Sequence, residues 1–110
     1  MAINYSEIAE DVRAYVLGEA DVANDVYSVD EIAACVKKAA FELLNFKRHL
    51  LVKDGAPRGS SEVVGETSVD IPEKYRGAMM HGALMFLFTE DQQRSSFERG
   101  LFMQQAGIGR

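Results

Sequence analysis

Residues Gly77 to Phe88 run for twelve positions without a charged side chain and are apolar or small almost throughout. This run limits the fold more than any other feature. It is too short to cross a bilayer, which takes about 20 apolar residues in a helix. It is also too apolar to lie on the surface, because a helix apolar on most sides is buried on most sides. With helical periodicity, Tyr75, Ala78, Met79, Gly82, Ala83, Phe86 and Leu87 make one stripe. Met80, Leu84 and Phe88 make a second stripe on another face. The first reads as core, Phe86 included. The second needs a cover, supplied either by the rest of the chain or by another subunit. Met80, Leu84 and Phe88 are therefore candidate interface residues. Pro72 stands where proline is accepted, in the first turn of this helix, with Asp70 or Ile71 at the cap.

Three more helices are expected around it. The first spans about Tyr5 to Leu17, with Asn4 and Glu7 at capping-box-like spacing and Gly18 as its stop. Its apolar face is Tyr5, Ile8, Ala9, Val12, Tyr15 and Val16. The second opens on the capping box Ser28–Glu31 and carries Val29, Ile32, Val36, Ala39, Ala40, Leu43 and Phe46, ending near Lys47 to His49. The last opens on Thr89 and Gln92, carries Phe97, Leu101 and Phe102 among Arg94, Glu98 and Arg99, and stops at Gly107. Ile108-Gly109-Arg110 is a short tail.

Between helices two and three, residues 50–71 are rich in turn formers: Asp54-Gly55, Pro57, Gly59-Ser60-Ser61 and Gly65. Short strands are expected at Leu50–Val52, Glu62–Val64 and Thr67–Ile71. This stretch reads as a β-hairpin or extended arm, mobile from Lys53 to Gly65 and able to reach a neighbour. Lys53, Arg58 and Val64 are its candidate contacts. The fold class is mainly α: one domain over residues 1–110, a small bundle of about four helices plus this arm.

Chemistry is sparse. His49 lies at a helix end, where a cation suits the dipole. His81 lies in the apolar helix with no acid within four residues and reads as a core or interface histidine. Neither has an i, i+4 histidine partner for zinc. The pairs Glu10-Asp11, Asp30-Glu31 and Glu90-Asp91 fall at helix starts or on solvated faces, where carboxylates are expected. Cys35 has no local base and reads as a small buried hydrophobe. No G-K-[ST] follows the glycines, so they make no phosphate loop. The reading gives no catalytic residue, no metal ligand and no cofactor site. Lys37, Lys38, Lys47, Arg48, Lys53 and Arg58 form a loose basic patch around Phe41 and Phe46, and both Phe are assigned to the core.

Composition is ordinary for a globular chain, 47% hydrophobic and 26% charged. The single cysteine excludes an intrachain disulfide, so a reducing interior or a virus particle fits better than a disulfide-stapled secreted module. Met1 to Tyr5 lacks the basic start and apolar run of a signal peptide. The net charge of −5 is unevenly spread: residues 1–31 hold eight acids and one base, giving −7, and the remainder hold eleven bases and nine acids, giving +2. An acidic block argues against simple coating of nucleic acid.

The order of these features resembles the head-to-tail connector proteins of tailed bacteriophages, also called adaptor or head-completion proteins. The residues that carry it are Val69-Asp70-Ile71-Pro72-Glu73-Lys74-Tyr75 leading into the Ala/Gly/Met-rich helix. The break Thr89-Glu90-Asp91-Gln92 follows, then a last helix with Phe97, Glu98, Arg99, Phe102 and a closing Gly107. The likeness covers roughly residues 5 to 107 and is one of pattern. It implies a helical bundle with a hairpin arm in a ring of about twelve copies beneath the portal. It implies the portal protein and a tail or stopper protein as partners, DNA passing through the channel, location in the virion neck after assembly in host cytoplasm, and no catalysis, cofactor or membrane. Many members also insert a C-terminal extension into the portal; the short tail here does not extend the expectation that far. The competing class is a small phage or bacterial DNA-binding, packaging or regulatory helical protein that uses the basic patch.

Overall fold

The computed structural model describes residues 3–19 and 29–107, with side chains described at 3–15 and 30–107. The expected Ser28 cap and the 108–110 tail lie outside the described residues. Within them the chain is mainly helical, with four long helices: α1 (Tyr5–Glu19), α2 (Val29–Phe46), α3 (Arg76–Leu87) and α4 (Gln92–Ala106). Helix α1 starts at the expected place. Asn4 Oδ1 accepts from the Ser6 amide at 2.9 Å, which satisfies one of the open N–H groups of the first turn. Gly18 does not stop the helix, which continues to Glu19.

Helix α3 packs against α1, α2 and α4, so it is the central element. This accounts for its two apolar faces. Ala78, Met79, Gly82, Ala83, Leu84 and Met85 are all buried along it, and Phe88 just beyond its end is 8% exposed. The second stripe is thus covered by the chain itself. Phe86 and Leu87, expected in the core, are instead only partly buried. Gly82 permits the close approach: a Cβ there would lie 2.7 Å from Ala39 Cβ on α2 and 2.9 Å from Phe102 Cδ1 on α4. No side chain larger than hydrogen fits between the three helices.

Pro72 opens a 3-10 turn, Glu73–Tyr75, that leads into α3, one turn later than the sequence suggests. At the other break the cap is Asp91 and not Thr89: the Asp91 side chain accepts from the Arg94 amide at 3.2 Å. Gly107 closes α4 in the left-handed region at φ 72°, where glycine carries no steric penalty. The faces of α4 run against hydropathy. Phe97 is 62% exposed, and Glu98 beside it is 1% exposed.

The arm is smaller and better anchored than the sequence suggests. After a 3-10 turn at Arg48–Leu51, β2 (Val52–Lys53) and β3 (Ala56–Pro57) form an antiparallel hairpin. Asp54 and Gly55 both have positive φ, 54° and 79°, the geometry of the two-residue turn that matches strand twist. Glu62 and Val63 belong to a single helical turn, Ser60–Val63, and not to a strand. Strand β4 (Ser68–Val69) pairs antiparallel with β1 (Ile3–Asn4), and Val64 bridges to Val69 from the other side. Val63, Val64, Val69 and Ile71 are buried, so the return limb belongs to the core. Val52 to Pro57 are exposed at every residue.

Candidate functional site

The expected interface residues divide. Leu84, Phe88 and Val64 are 0%, 8% and 4% exposed and are spent on the chain's own core. Met80 is partly buried against that core. The correction has a plain cause: α3 lies in the middle of the bundle, so both of its stripes meet other helices. Lys53 and Arg58 lie on and beside the hairpin, but they point back to its base. Arg58 donates from Nη1 to Asp70 Oδ2 at 2.7 Å and from Nη2 to the Leu50 carbonyl at 2.8 Å. Lys53 Nζ reaches the same Asp70 oxygen at 3.1 Å. These donors, Lys53 first, hold the Asp70 carboxyl below its ordinary range. The cluster clamps the hairpin to the segment that leads into α3.

Among the described residues, the surface instead exposes four large hydrophobic side chains: Phe41, Phe46, Val52 and Phe97. This corrects the assignment of Phe41 and Phe46 to the core. Phe46 ends α2 at 45% exposed and forms one wall of a groove of about 350 Å³ between α2, α3 and α4. Met85 and Phe86 line its α3 side, and Ser95, Arg99, Phe102 and Met103 its α4 side. Glu42 stands on the α2 wall. The helical period alone did not reveal the groove, because Phe46 continues the α2 core stripe by one more turn, past the point where α3 covers it.

Phe41 lies one turn beyond Lys37 on the outer side of α2, with Lys38 exposed nearby. Lys47 Nζ donates to the Gly107 carbonyl at 3.4 Å and so sits at the end of α4. The loose basic patch therefore does not converge. Lys53 and Arg58 are bound to Asp70, Lys47 caps a helix end, and Lys37 and Lys38 flank an exposed ring.

A buried polar cluster joins three helices. His81 Nδ1 on α3 lies 2.7 Å from Glu98 Oε1 on α4. Tyr15 Oη on α1 donates to Glu98 Oε2 at 3.5 Å, and the Tyr15 ring stands edge-on to His81 with centroids 6.4 Å apart. His81 is thus a satisfied core histidine, as expected, but its partner lies 17 residues along the chain, beyond any local spacing rule. A buried carboxylate must be hydrogen-bonded or paired, and Glu98 has both neighbours at hand. The cluster ties α1, α3 and α4 in one register. Elsewhere, Tyr5 is buried and its phenol has no partner among the described residues; burial pushes its pKa up to about 12. Burial likewise raises the Cys35 thiol. Arg76 on α3 meets Glu73 at 3.0 Å, Glu7 at 3.4 Å and Asp11 at 3.6 Å. His49 and the acid pairs Asp30-Glu31 and Glu90-Asp91 are exposed. No described helix is long and apolar enough to cross a membrane.

No protein-family model, curated protein or solved structure matches the chain.

Proposed function

We propose that the protein is a head-to-tail connector of a tailed bacteriophage, a structural subunit that forms a ring beneath the portal and joins it to a tail or stopper protein. One observation carries most weight. The core closes around α3 without help from Phe46, Val52 or Phe97, and these residues stand exposed in three separate places: the groove, the hairpin and the outer side of α4. Single apolar side chains are ordinary on a surface, but the groove beside Phe46, with Met85, Phe86 and Met103, is an apolar surface of the kind that protein contacts use. A connector requires several such surfaces, for its lateral neighbours, the portal and the next tail component. The hairpin suits contact, since a clamp at Asp70 holds its base while Val52 to Pro57 are exposed. Glu7, Glu10 and Asp11 on α1 are exposed and stay net acidic beside Arg76, which suits a wall that repels DNA phosphates.

The competing reading, a DNA-binding or packaging protein, draws on exposed Phe41 beside Lys37 and Lys38, a stacking ring next to cations. Two titrations separate the readings. A connector co-sediments with portal assemblies from its own genome and shows little affinity for DNA. A packaging protein binds DNA with an affinity that falls steeply as salt rises, and ignores the portal.

A further inference from the structure

We infer that the hairpin from Val52 to Arg58 is a strap with two positions: latched to the body through Asp70, and released about Leu51 and Gly59 when Arg58 and Lys53 part from that carboxylate. The inference stands apart from the connector reading, which needs only that the hairpin be exposed.

The strap has almost no apolar hold on the body. Leu50 before it is buried, Leu51 packs on the core from a partly buried position, and the next buried residue is Val63. From Val52 to Glu62, Arg58 alone is not exposed. Strands β2 and β3 pair with each other and with no other strand. The strap is therefore held by polar contacts, and they converge on one side chain. Arg58 places Nη1 2.7 Å from Asp70 Oδ2 and Nη2 2.8 Å from the Leu50 carbonyl. Lys53 adds a 3.1 Å contact to the same Asp70 oxygen.

The two sides of the latch differ in rigidity. Asp70 belongs to the body: its amide donates to the Val63 carbonyl at 2.9 Å, and its neighbours Val69 and Ile71 are 0% and 3% exposed. The cations belong to the strap. Loss of one carboxylate thus removes both ionic ties together. The latch is also weak enough to open. The Asp70 side chain is 36% exposed and Lys53 is 59% exposed, and such half-exposed pairs shift an equilibrium by only about fivefold. From either hinge to the Asp54-Gly55 tip is about three extended residues, so release moves the tip on the order of 10 Å. It also opens one wall of a cavity of about 370 Å³, in which Val52, Lys53 and Arg58 of the strap face Leu50, Ile71 and Pro72 of the body. The latched position keeps that apolar floor covered.

The test is backbone amide relaxation on the full chain labelled with ¹⁵N. In the wild type the amides of Val52 to Ala56 and of Arg58 should have order parameters near those of the helices, about 0.85. Asp70→Ala, which leaves the strap sequence untouched, should drop them below about 0.6 while α1 to α4 keep their values. Arg58→Gln should do the same from the other side of the latch, and it serves where Asp70→Ala disturbs the amide spectrum of the helices. Lys53→Gln should change little, because Arg58 still holds. A wild-type strap already below about 0.6 overturns the inference, since nothing is then latched. So does an Asp70→Ala or Arg58→Gln strap that loses no more order than Lys53→Gln.

Discussion

Gly82→Ala sets two physical effects against each other. On helix propensity alone, alanine in place of a mid-helix glycine stabilises by about 1 kcal/mol. The packing at Gly82 opposes this. The added methyl would lie 2.7 Å from Ala39 Cβ, 2.9 Å from Phe102 Cδ1 and 3.1 Å from Phe102 Cε1. Carbon atoms pack at about 3.5–4.0 Å, so roughly 1 Å must open at the α2 contact. Ala39 Cβ is fixed to its backbone and cannot rotate aside. The Phe102 ring is 1% exposed but borders the α2–α3–α4 groove, toward which it can yield. Helix α2 must shift, which places the cost near the upper end of the usual overpacking range, about 3 kcal/mol. The net expectation is destabilisation by about 2 kcal/mol. Gly100→Ala is the control: it is the same substitution in a helix with open space around it, and it should stabilise by about 1 kcal/mol. Urea unfolding reads both through the midpoint at unchanged m-value. Ala39→Gly in the Gly82→Ala background should recover part of the loss, as a positive coupling in a double-mutant cycle. A Gly82→Ala chain as stable as wild type would refute the close three-helix crossing.

Glu98→Ala should cost about 3 kcal/mol in urea unfolding, because it strips His81 and Tyr15 of their shared buried acceptor; Glu98→Gln, whose amide oxygen can still accept, should cost less. Equal losses for the two would argue that the carboxylate's charge, and neither volume nor a neutral acceptor oxygen, holds this site. Tyr5→Phe should stabilise by about 1 kcal/mol at neutral pH, since it removes a buried phenol with no partner among the described residues. The folded pKa of Tyr5 is raised, so wild-type stability should hold below pH 10 and fall as pH rises from there through about 12, with the Tyr5 share of that fall absent in Tyr5→Phe. The folded pKa of Asp70 is lowered, so its share of stability is present above about pH 4 and is lost as pH falls further. The effect should be small, because the carboxylate is partly exposed and screened. Asp70→Asn should remove that acid-limb share in pH-dependent melts, and an unchanged acid limb would show that the clamp is not formed.

What the sequence disclosed and what it hid follow from range. Local chemistry was legible: the Asn4 cap, the Asp54-Gly55 turn, Pro72 before α3 and the Gly107 stop all depend on contacts within a few residues. The double apolar face of α3 was legible too, but its cover was not, because periodicity reports that a face is buried and not by what. Leu84, Phe88 and Val64 accordingly moved from candidate interface to core. The α4 faces are not legible from hydropathy for a related reason. Phe97 looks like core by hydropathy and Glu98 like surface by charge. Helix α4 reverses both, because the burial of Glu98 is compensated by His81, which is remote in sequence. The arm reads as mobile from Lys53 to Gly65 because turn formers and polar residues dominate it. The pairing of Ser68–Val69 with Ile3–Asn4 joins the middle of the chain to its start, which no local rule connects.

The most direct test of the connector reading is electron microscopy of the purified chain mixed in excess with portal assemblies from its own genome. The reading predicts an added ring of density on one end of each portal, in register with the portal symmetry, with the open channel preserved. Portals unchanged at saturating protein, together with salt-sensitive binding of the same protein to DNA, would contradict it.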